Sequence, residues 1–322
     1  MTKLFSRSSL EPYRRYLAPL TSERPGKASL TVRYLGVTTL LFSDGKTCLM
    51  TDGFFTRPGG FLKVALGRKI SPDQGIIRRG LQRSGVDKLS AVMPLHSHYD
   101  HAMDSPEVAR QSGAVLLGSE SSANIGRGWG LPEAQIEVVT PGEVYHFGDF
   151  SLTFIRSAHV PMRVNVSRGG TEIMEPLVPP VAPLDYKVGQ VYSLHIQHPM
   201  GNLLVHGSAG FVPGALKGFS AEIVFLSVGG LAHTDREHKE TLFSEVIETT
   251  GASRLIPLHY DDFTRPLEEP MRLIPRLLDD VGVSLDFLAE KAGARPGMAL
   301  QMLPLWEEVG VLIGGRGRKR KT

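Results

Sequence analysis

The sequence predicts a single α/β domain with its sheets packed between helices, and three observations carry that reading. Strand-length apolar runs recur along the chain with helical stretches between them, in the order strands, helix, strands, then strand–helix–strand. The 322 residues are 41% hydrophobic and 21% charged, which supplies one large core. No stretch has the composition of an interdomain linker. The boundaries that follow are an N-terminal leader over 1–28, one domain over 29–310 and a basic tail over 311–322.

The leader is polar, carries Pro12 and Pro25, and reads as a partly helical segment lying on the domain or as a free one. Leu30 to Tyr34 is the first clear strand. Thr38 to Phe42 and Thr47 to Thr51 flank the turn Ser43-Asp44-Gly45-Lys46, a hairpin that ends at Asp52. Residues 53 to 70 hold Phe54, Phe55, Gly59, Gly60 and Phe61 and read as a loop. Ser71-Pro72-Asp73 opens a helix to about Ser84. Leu89 to Leu95 is a short buried strand, and Asp104-Ser105-Pro106 caps a helix through Gln111. Ala114 to Leu117, Ile136 to Thr140, Glu143 to Phe147 and Ser151 to Ser157 are further strands.

Val160 to Gly189 is irregular and holds Pro161, Pro176, Pro179, Pro180 and Pro183; loops of that length are usually lids or binding loops. Tyr192 to Gln197 and Asn202 to His206 make a hairpin around Pro199-Met200-Gly201. Glu222 to Val228 is a strand, Asp235 to Thr250 a helix, and Arg254 to Leu258 a strand ending at His259. Two helical stretches and a strand-like Ala299 to Leu303 complete the expected elements.

Lys plus Arg is 36 against 33 acidic residues, so the formal charge is only +3. The excess sits in Arg316, Arg318, Lys319, Arg320 and Lys321, a terminus that reads as solvated, and the remainder carries no general nucleic-acid footprint. Cys48 is the one cysteine, which excludes an internal disulfide and a cysteine-rich zinc site. Neither a signal peptide nor a run of transmembrane length is visible, so the expected location is cytoplasmic.

The chemistry concentrates in His96-Ser97-His98-Tyr99-Asp100-His101, at the end of a buried strand. Imidazole and carboxylate are the ligands expected for Zn, Fe or Mn. His96 and His98 are two apart, so an extended segment points both to one side. Asp100 and His101 follow as the chain turns, and can serve a second ion or hold water beside the first. Such a cluster needs further ligands from other strand ends, and His159 and His259 both follow strands.

His96 to His101 matches the HxHxDH signature, and the segment resembles the metallo-β-lactamase superfamily. Asp52, the signature, His159 and His259 fall in that superfamily's order over roughly residues 30 to 260. Gly118-Ser119-Glu120-Ser121 and Ile256-Pro257-Leu258-His259-Tyr260-Asp261-Asp262-Phe263 resemble the bacterial branch of L-ascorbate-6-phosphate lactonase-like and N-acylphosphatidylethanolamine phospholipase D-like proteins. The resemblance implies a four-layer αββα sandwich with metals at one edge. It implies His96, His98 and His159 as ligands of a first metal, and Asp100, His101 and His259 as ligands of a second. The implied cofactor is Zn2+, one or two ions, with Mn2+ or Fe2+ as alternatives. Asp52 is expected to support the ligands by hydrogen bonds.

One position departs from the pattern. The superfamily places an Asp between the metals, and Ser208 of His206-Gly207-Ser208-Ala209-Gly210 stands there. A neutral hydroxyl is the weaker ligand, so the second metal is expected to bind less tightly. Asp235, Asp261 or Asp262 could substitute; otherwise Asp235 is a helix cap and the other two are solvated loop acids.

The expected activity is metal-dependent hydrolysis, with a metal-bound hydroxide attacking an ester, lactone or phosphodiester of a small molecule or lipid-like substrate. Asp100 orients water or accepts its proton. His233 is either a general acid for the leaving group or a surface residue opening the helix after it. Phe54, Phe55, Phe61 and Trp129 could wall an apolar pocket, and Arg163 and Arg168 could meet an anion. His195 and His198 read as structural. Ser119, Ser121 and Ser208 lack a nucleophile elbow. The alternatives are a nuclease of the same superfamily, or a metal-binding protein without catalysis because of Ser208.

Overall fold

Alternation along the strands decides the layers. In the computed structural model, which describes residues 6–17, 29–58, 60, 64, 66–161 and 171–313, β2 (Leu40–Ser43) buries Leu40 and Phe42 in one apolar cluster and Leu41 in another. β3 (Cys48–Thr51) divides Leu49 from Met50, and β4 (Ala91–Met93) divides Ala91 and Met93 from Val92, in the same way. A period of two sends alternate side chains to opposite faces of a sheet, so both faces are covered.

The first sheet runs β14 (Glu308–Ile313), β1 (Ser29–Tyr34), β2, β3, β4, β5 (Val115–Gly118), β6 (Ile136–Val138). The second runs β13 (Ala299–Leu300), β12 (Arg254–Leu258), β11 (Ile223–Ser227), β10 (Gly201–His206), β9 (Val191–His198), β8 (Phe150–Ser157), β7 (Val144–Phe147). Both sheets are mixed: β3 to β6 and β10 to β13 pair in parallel, and the hairpins pair antiparallel. The inner faces meet in one core, where Phe42 of the first sheet lies edge-on to Phe225 of the second at 5.5 Å. Such a pair adds about 0.5–1.5 kcal/mol beyond its buried area.

Helices α1 (Gln74–Arg83), α2 (Tyr99–Ala102), α3 (Ser105–Ser112) and α4 (Glu120–Trp129) lie on the first-sheet side; α5 (Arg236–Leu242) and α6 (Val281–Gly293) lie on the second. The result is the αββα sandwich the resemblance implied. Residues 6–17 join it: Arg7 bridges Pro275, Tyr13 Oη donates to Gly282 O, and Met302 N donates to Tyr16 O. The rest of the leader and residues 314–322, with the basic tail's Arg316 to Lys321, lie outside the described residues. Among the described residues no helix is long and apolar enough to cross a membrane.

Several elements differ from expectation. α4 was not foreseen, because Gly126 and Gly128 lower its helix propensity. Gly126 is there for packing: a Cβ would sit 2.7 Å from Leu116. At Gly128 a Cβ would sit 1.9 Å from Leu177 O, so the helix surface is bared for the 171–189 segment. Asp73 and Asp235 cap their helices through Ile76 N and His238 N. Asp104 does not: its carboxylate accepts from Phe55 N, Thr56 N and Thr56 Oγ1 and ties down the loop after β3. The helix from Asp235 continues as a π-helical turn over Phe243–Glu248. One α-helix rather than two follows His259 among the described residues, since Pro266, Pro270 and Pro275 interrupt the intervening chain.

Candidate metal centre

Strand ends gather the site. β3 leads to Asp52, β4 leads through Pro94-Leu95 to His96, β8 leads to His159 and β12 to His259. Two backbone bonds close the two sheets there: Tyr192 N donates to Leu95 O at 2.9 Å, and His259 N to Val37 O at 2.8 Å. His98 stays extended (φ −60°, ψ 152°) and its carbonyl accepts from His101 N and Ala102 N. The single turn of α2 therefore carries Asp100 and His101 back over His96.

Two triads result. One ligand atom from each of His96, His98 and His159 lies within 4.8 Å of the others, and the same holds for Asp100, His101 and His259. The triads touch, with the rings of His96 and His101 3.8 Å apart. His98 and His159 pack at 4.8 Å, and His259 Nε2 is 3.3 Å from Asp100 Oδ2. All six residues proposed from the sequence as ligands are thus brought together.

Their free atoms point inward. His101 Nδ1 lies 2.7 Å from Asp52 Oδ2, with Thr38 Oγ1 donating to the same oxygen and Leu95 N to Oδ1. Asp52 can only accept, so the His101 proton sits on Nδ1 and Nε2 offers a lone pair. His159 Nδ1 likewise donates to Val160 O at 2.9 Å. His96 is 1% exposed and neither ring nitrogen has a partner. Buried polar atoms are nearly always satisfied, and leaving one unpaired costs about 1–3 kcal/mol. A cation among these nitrogens and the Asp100 carboxylate satisfies them, so the donor set fits a borderline transition metal.

The electrostatics agree. Burial, then the neighbouring imidazoles, push His96 well below the ordinary histidine range; burial and His159 take His98 down to about 3. Burial also lowers His159. These rings stay neutral, the form that ligates. Burial pushes Asp100 up, but His101 and His259 outweigh it and hold the carboxylate ionised. Burial pulls His101 down, and Asp52 and Asp100 more than reverse that.

Glycines make room for this packing. A Cβ on Gly210 would lie 2.3 Å from His159 O, and one on Gly229 would lie 3.0 Å from the His259 ring. Ser208 is buried, and its Oγ accepts from Val160 N at 3.0 Å, so it holds the His159 turn. His206 is held at both nitrogens, by Ser193 Oγ and Gly210 O.

Other residues lie elsewhere. His233 Nε2 donates to Leu278 O at 2.8 Å, in a 3-10 turn over Leu231–His233. Asp261 and Asp262 are not solvated loop acids: they are 2% and 4% exposed and paired with Arg57 and Arg7. Phe55 packs under α1 and Trp129 Nε1 donates to Glu107, so both anchor structure. Phe54 packs edge-on to Tyr99 in the cluster beside the site, with Tyr186 and Ile173. Phe61, Arg163 and Arg168 lie outside the described residues. Ser119 caps α4, and Ser121 Oγ accepts from Ile173 N. Sequence reasoning missed Thr38 and the pairing of the 171–189 segment with Ser97, whose N donates to Val188 O; neither leaves a local signal.

No protein-family profile matches the chain. A UPF0173 metal-dependent hydrolase of Oenococcus oeni is 21% identical over 267 residues, 80% of this chain and 97% of that protein. A UPF0173 metal-dependent hydrolase of Agrobacterium fabrum is 25% identical over 130 residues, 40% of this chain and 48% of that protein, so the match spans about half its length. Among solved structures, Igni18, a metallo hydrolase from Ignicoccus hospitalis, superposes with a TM-score of 0.53 at 15% identity, covering 87% of this chain and 97% of that one. The αββα sandwich, with the signature at its edge, is thus the fold shared with that metallo hydrolase.

Proposed function

We propose that the chain is a metal-dependent hydrolase whose first metal is held by His96, His98 and His159 and whose second is held by Asp100, His101 and His259. The observation that carries this is the pair of adjoining triads, one of them containing a buried histidine with two unsatisfied nitrogens. The names of the two sequence relatives support the same reading. Zn2+ suits the donors best, with Mn2+ and Fe2+ as alternatives.

When bound, the metal would lower the pKa of its water toward neutrality and polarise the scissile group. The chain's own residues do the rest. Asp52 and Val160 O fix the tautomers of His101 and His159. Asp100, ionised and 3.3 Å from His259 Nε2, orients the attacking water or takes its proton at Oδ2. Phe54, Tyr99 and Tyr186 form an apolar cluster beside the ligands and keep bulk water from that side. The substrate class is an ester, lactone or phosphodiester with an apolar part. His233 Nε2 is engaged by Leu278 O, so the leaving-group acid is assigned to water or Asp100.

Metal analysis with a panel of aryl esters, a lactone and a phosphodiester tests this. At least one equivalent of metal per chain, with turnover abolished by chelation and by His96→Ala, supports it. Metal-free protein after exposure to Zn2+ and Mn2+ at neutral pH sinks it. Ser208→Asp addresses the second ion: higher occupancy of the weaker site shows that the missing carboxylate limits it.

A further inference from the structure

The far end of the sandwich carries a second group of ligand-type side chains. β3 and β8 both end at the centre described above, so the turns that precede them lie about 8 residues away along β8, on the order of 25 Å at 3.3 Å per residue. Asp44 sits in the β2–β3 turn, Asp149 in the β7–β8 turn, and His198 at the end of β9. One ligand atom from each lies within 4.8 Å of the others. The first turn belongs to one sheet and the other two belong to the second.

Acidic turns are common, but this one contains a buried imidazole aimed into it. The His198 side chain is 5% exposed, its ring packs on Phe150 at 4.8 Å, and its Nε2 has no hydrogen-bond partner. Nε2 stands 3.5 Å from Asp44 Oδ2, whose side chain is 6% exposed. The Asp44 Oδ1 atom is already used, accepting from Lys46 N and Thr47 N, so Oδ2 is the atom left for a ligand. The turns are pressed together, since a Cβ on Gly148 would lie 2.2 Å from Thr47 Oγ1. The three side chains are therefore presented by a preformed frame.

We propose that Asp44, Asp149 and His198 form a structural site for a divalent transition-metal ion that staples the two sheets together. One imidazole nitrogen and two carboxylate oxygens suit Zn2+, Co2+ or Mn2+, with water completing the shell. Binding shifts the single ring proton of the neutral imidazole from Nε2 to Nδ1, so that Nε2 offers its lone pair to the ion. That gives up one long contact, the 3.3 Å approach of Met200 N to Nδ1. Lys46 Nζ, 3.9 Å from Asp149 Oδ2 and on an 83% exposed side chain, is the competing cation. An exposed ion pair of that length is weak, so a dication displaces it.

The test counts ions and uses no activity reading. Protein freed of metal is dialysed against Zn2+ or Co2+ at pH 7.5, and bound metal per chain is measured for wild type, Asp149→Asn, His198→Gln and Lys46→Met. Asp149 is 53% exposed, so Asp149→Asn folds even if His198→Gln does not. Wild type is expected to hold one equivalent more than Asp149→Asn or His198→Gln, and its thermal midpoint to rise with added metal by more than that of either variant. Lys46→Met is expected to keep the extra equivalent and bind it more tightly. Equal counts in wild type and Asp149→Asn overturn the proposal, as does an equal loss in Lys46→Met. The metal centre at the other end is unaffected by these variants, so failure here leaves the hydrolase reading standing.

Discussion

Asp52 Oδ2 lies 2.7 Å from His101 Nδ1, and it does so from a residue with φ of +55° that is itself 0% exposed. The left-handed backbone is uncommon for a non-glycine residue and is tolerated best by Asn and Asp. It aims one carboxylate at three partners: His101, Thr38 and Leu95 N. The arrangement fixes which His101 nitrogen faces Asp100. Asp52→Asn keeps the backbone and the size but removes the charge. It is expected to lower metal affinity or turnover by about 10- to 100-fold. Competition with a chromophoric chelator checks it, and an unchanged affinity would mean that Asp52 only packs.

Gly210 makes a steric prediction. Its would-be Cβ meets backbone, His159 O at 2.3 Å and Ala158 O at 2.5 Å, which a side-chain rotation cannot relieve. Gly210→Ala must therefore move the His159 turn. We expect about 1–3 kcal/mol of destabilisation and loss of the first metal equivalent at concentrations that saturate wild type. Chemical denaturation and metal analysis of the same sample give both readings.

Legibility in the sequence followed range. His96 to His101 is a local pattern at the end of an apolar strand, so six residues held four of the six candidate ligands; His159 and His259 were legible because each follows a strand. What depended on partners far along the chain was not. Asp261 and Asp262 look like surface acids until Arg57 and Arg7, more than 200 residues away, are seen to bury them. α4 was hidden because its glycines serve contacts with Leu116 and Leu177, which no helix propensity records. Asp104 reads as a helix cap from its neighbours alone, whereas its donors lie on the 55–56 loop.

The Arg57–Asp261 pair supports His259 from behind. Asp261 accepts from Arg57, Tyr34 Oη and Val37 N, while His259 N donates to Val37 O, so one network sets the turn that presents the ligand. Both charges are nearly fully buried, at 3% and 2% exposure. Removing one partner of such a pair leaves the other uncompensated and costs about 3–5 kcal/mol. Arg57→Met is expected to lose that much, and Arg57→Met with Asp261→Leu appreciably less than two independent losses. A double-mutant cycle in urea decides it; additive losses would show that the charges do not couple.

The last prediction concerns acid. His206 is buried with Nδ1 accepting from Ser193 and Nε2 donating to Gly210 O, and burial pulls its pKa down to about 4, with the Gly210 bond opposing. A histidine lowered in the folded state binds its proton more readily when unfolded. Its contribution is fully present above the unfolded value of about 6.5 and is lost as pH falls through the folded value. A shift of this size corresponds to on the order of 3 kcal/mol between those limits. His96 and His98 are lowered for the same reason and add to the trend in metal-free protein. Urea midpoints of the metal-free protein should therefore fall steadily from pH 7 to pH 4.5, before most carboxylates titrate. His206→Gln should start less stable at pH 7 and show a shallower fall, because His96 and His98 still contribute. A slope identical to wild type would mean that His206 is not among the groups that take up protons on unfolding.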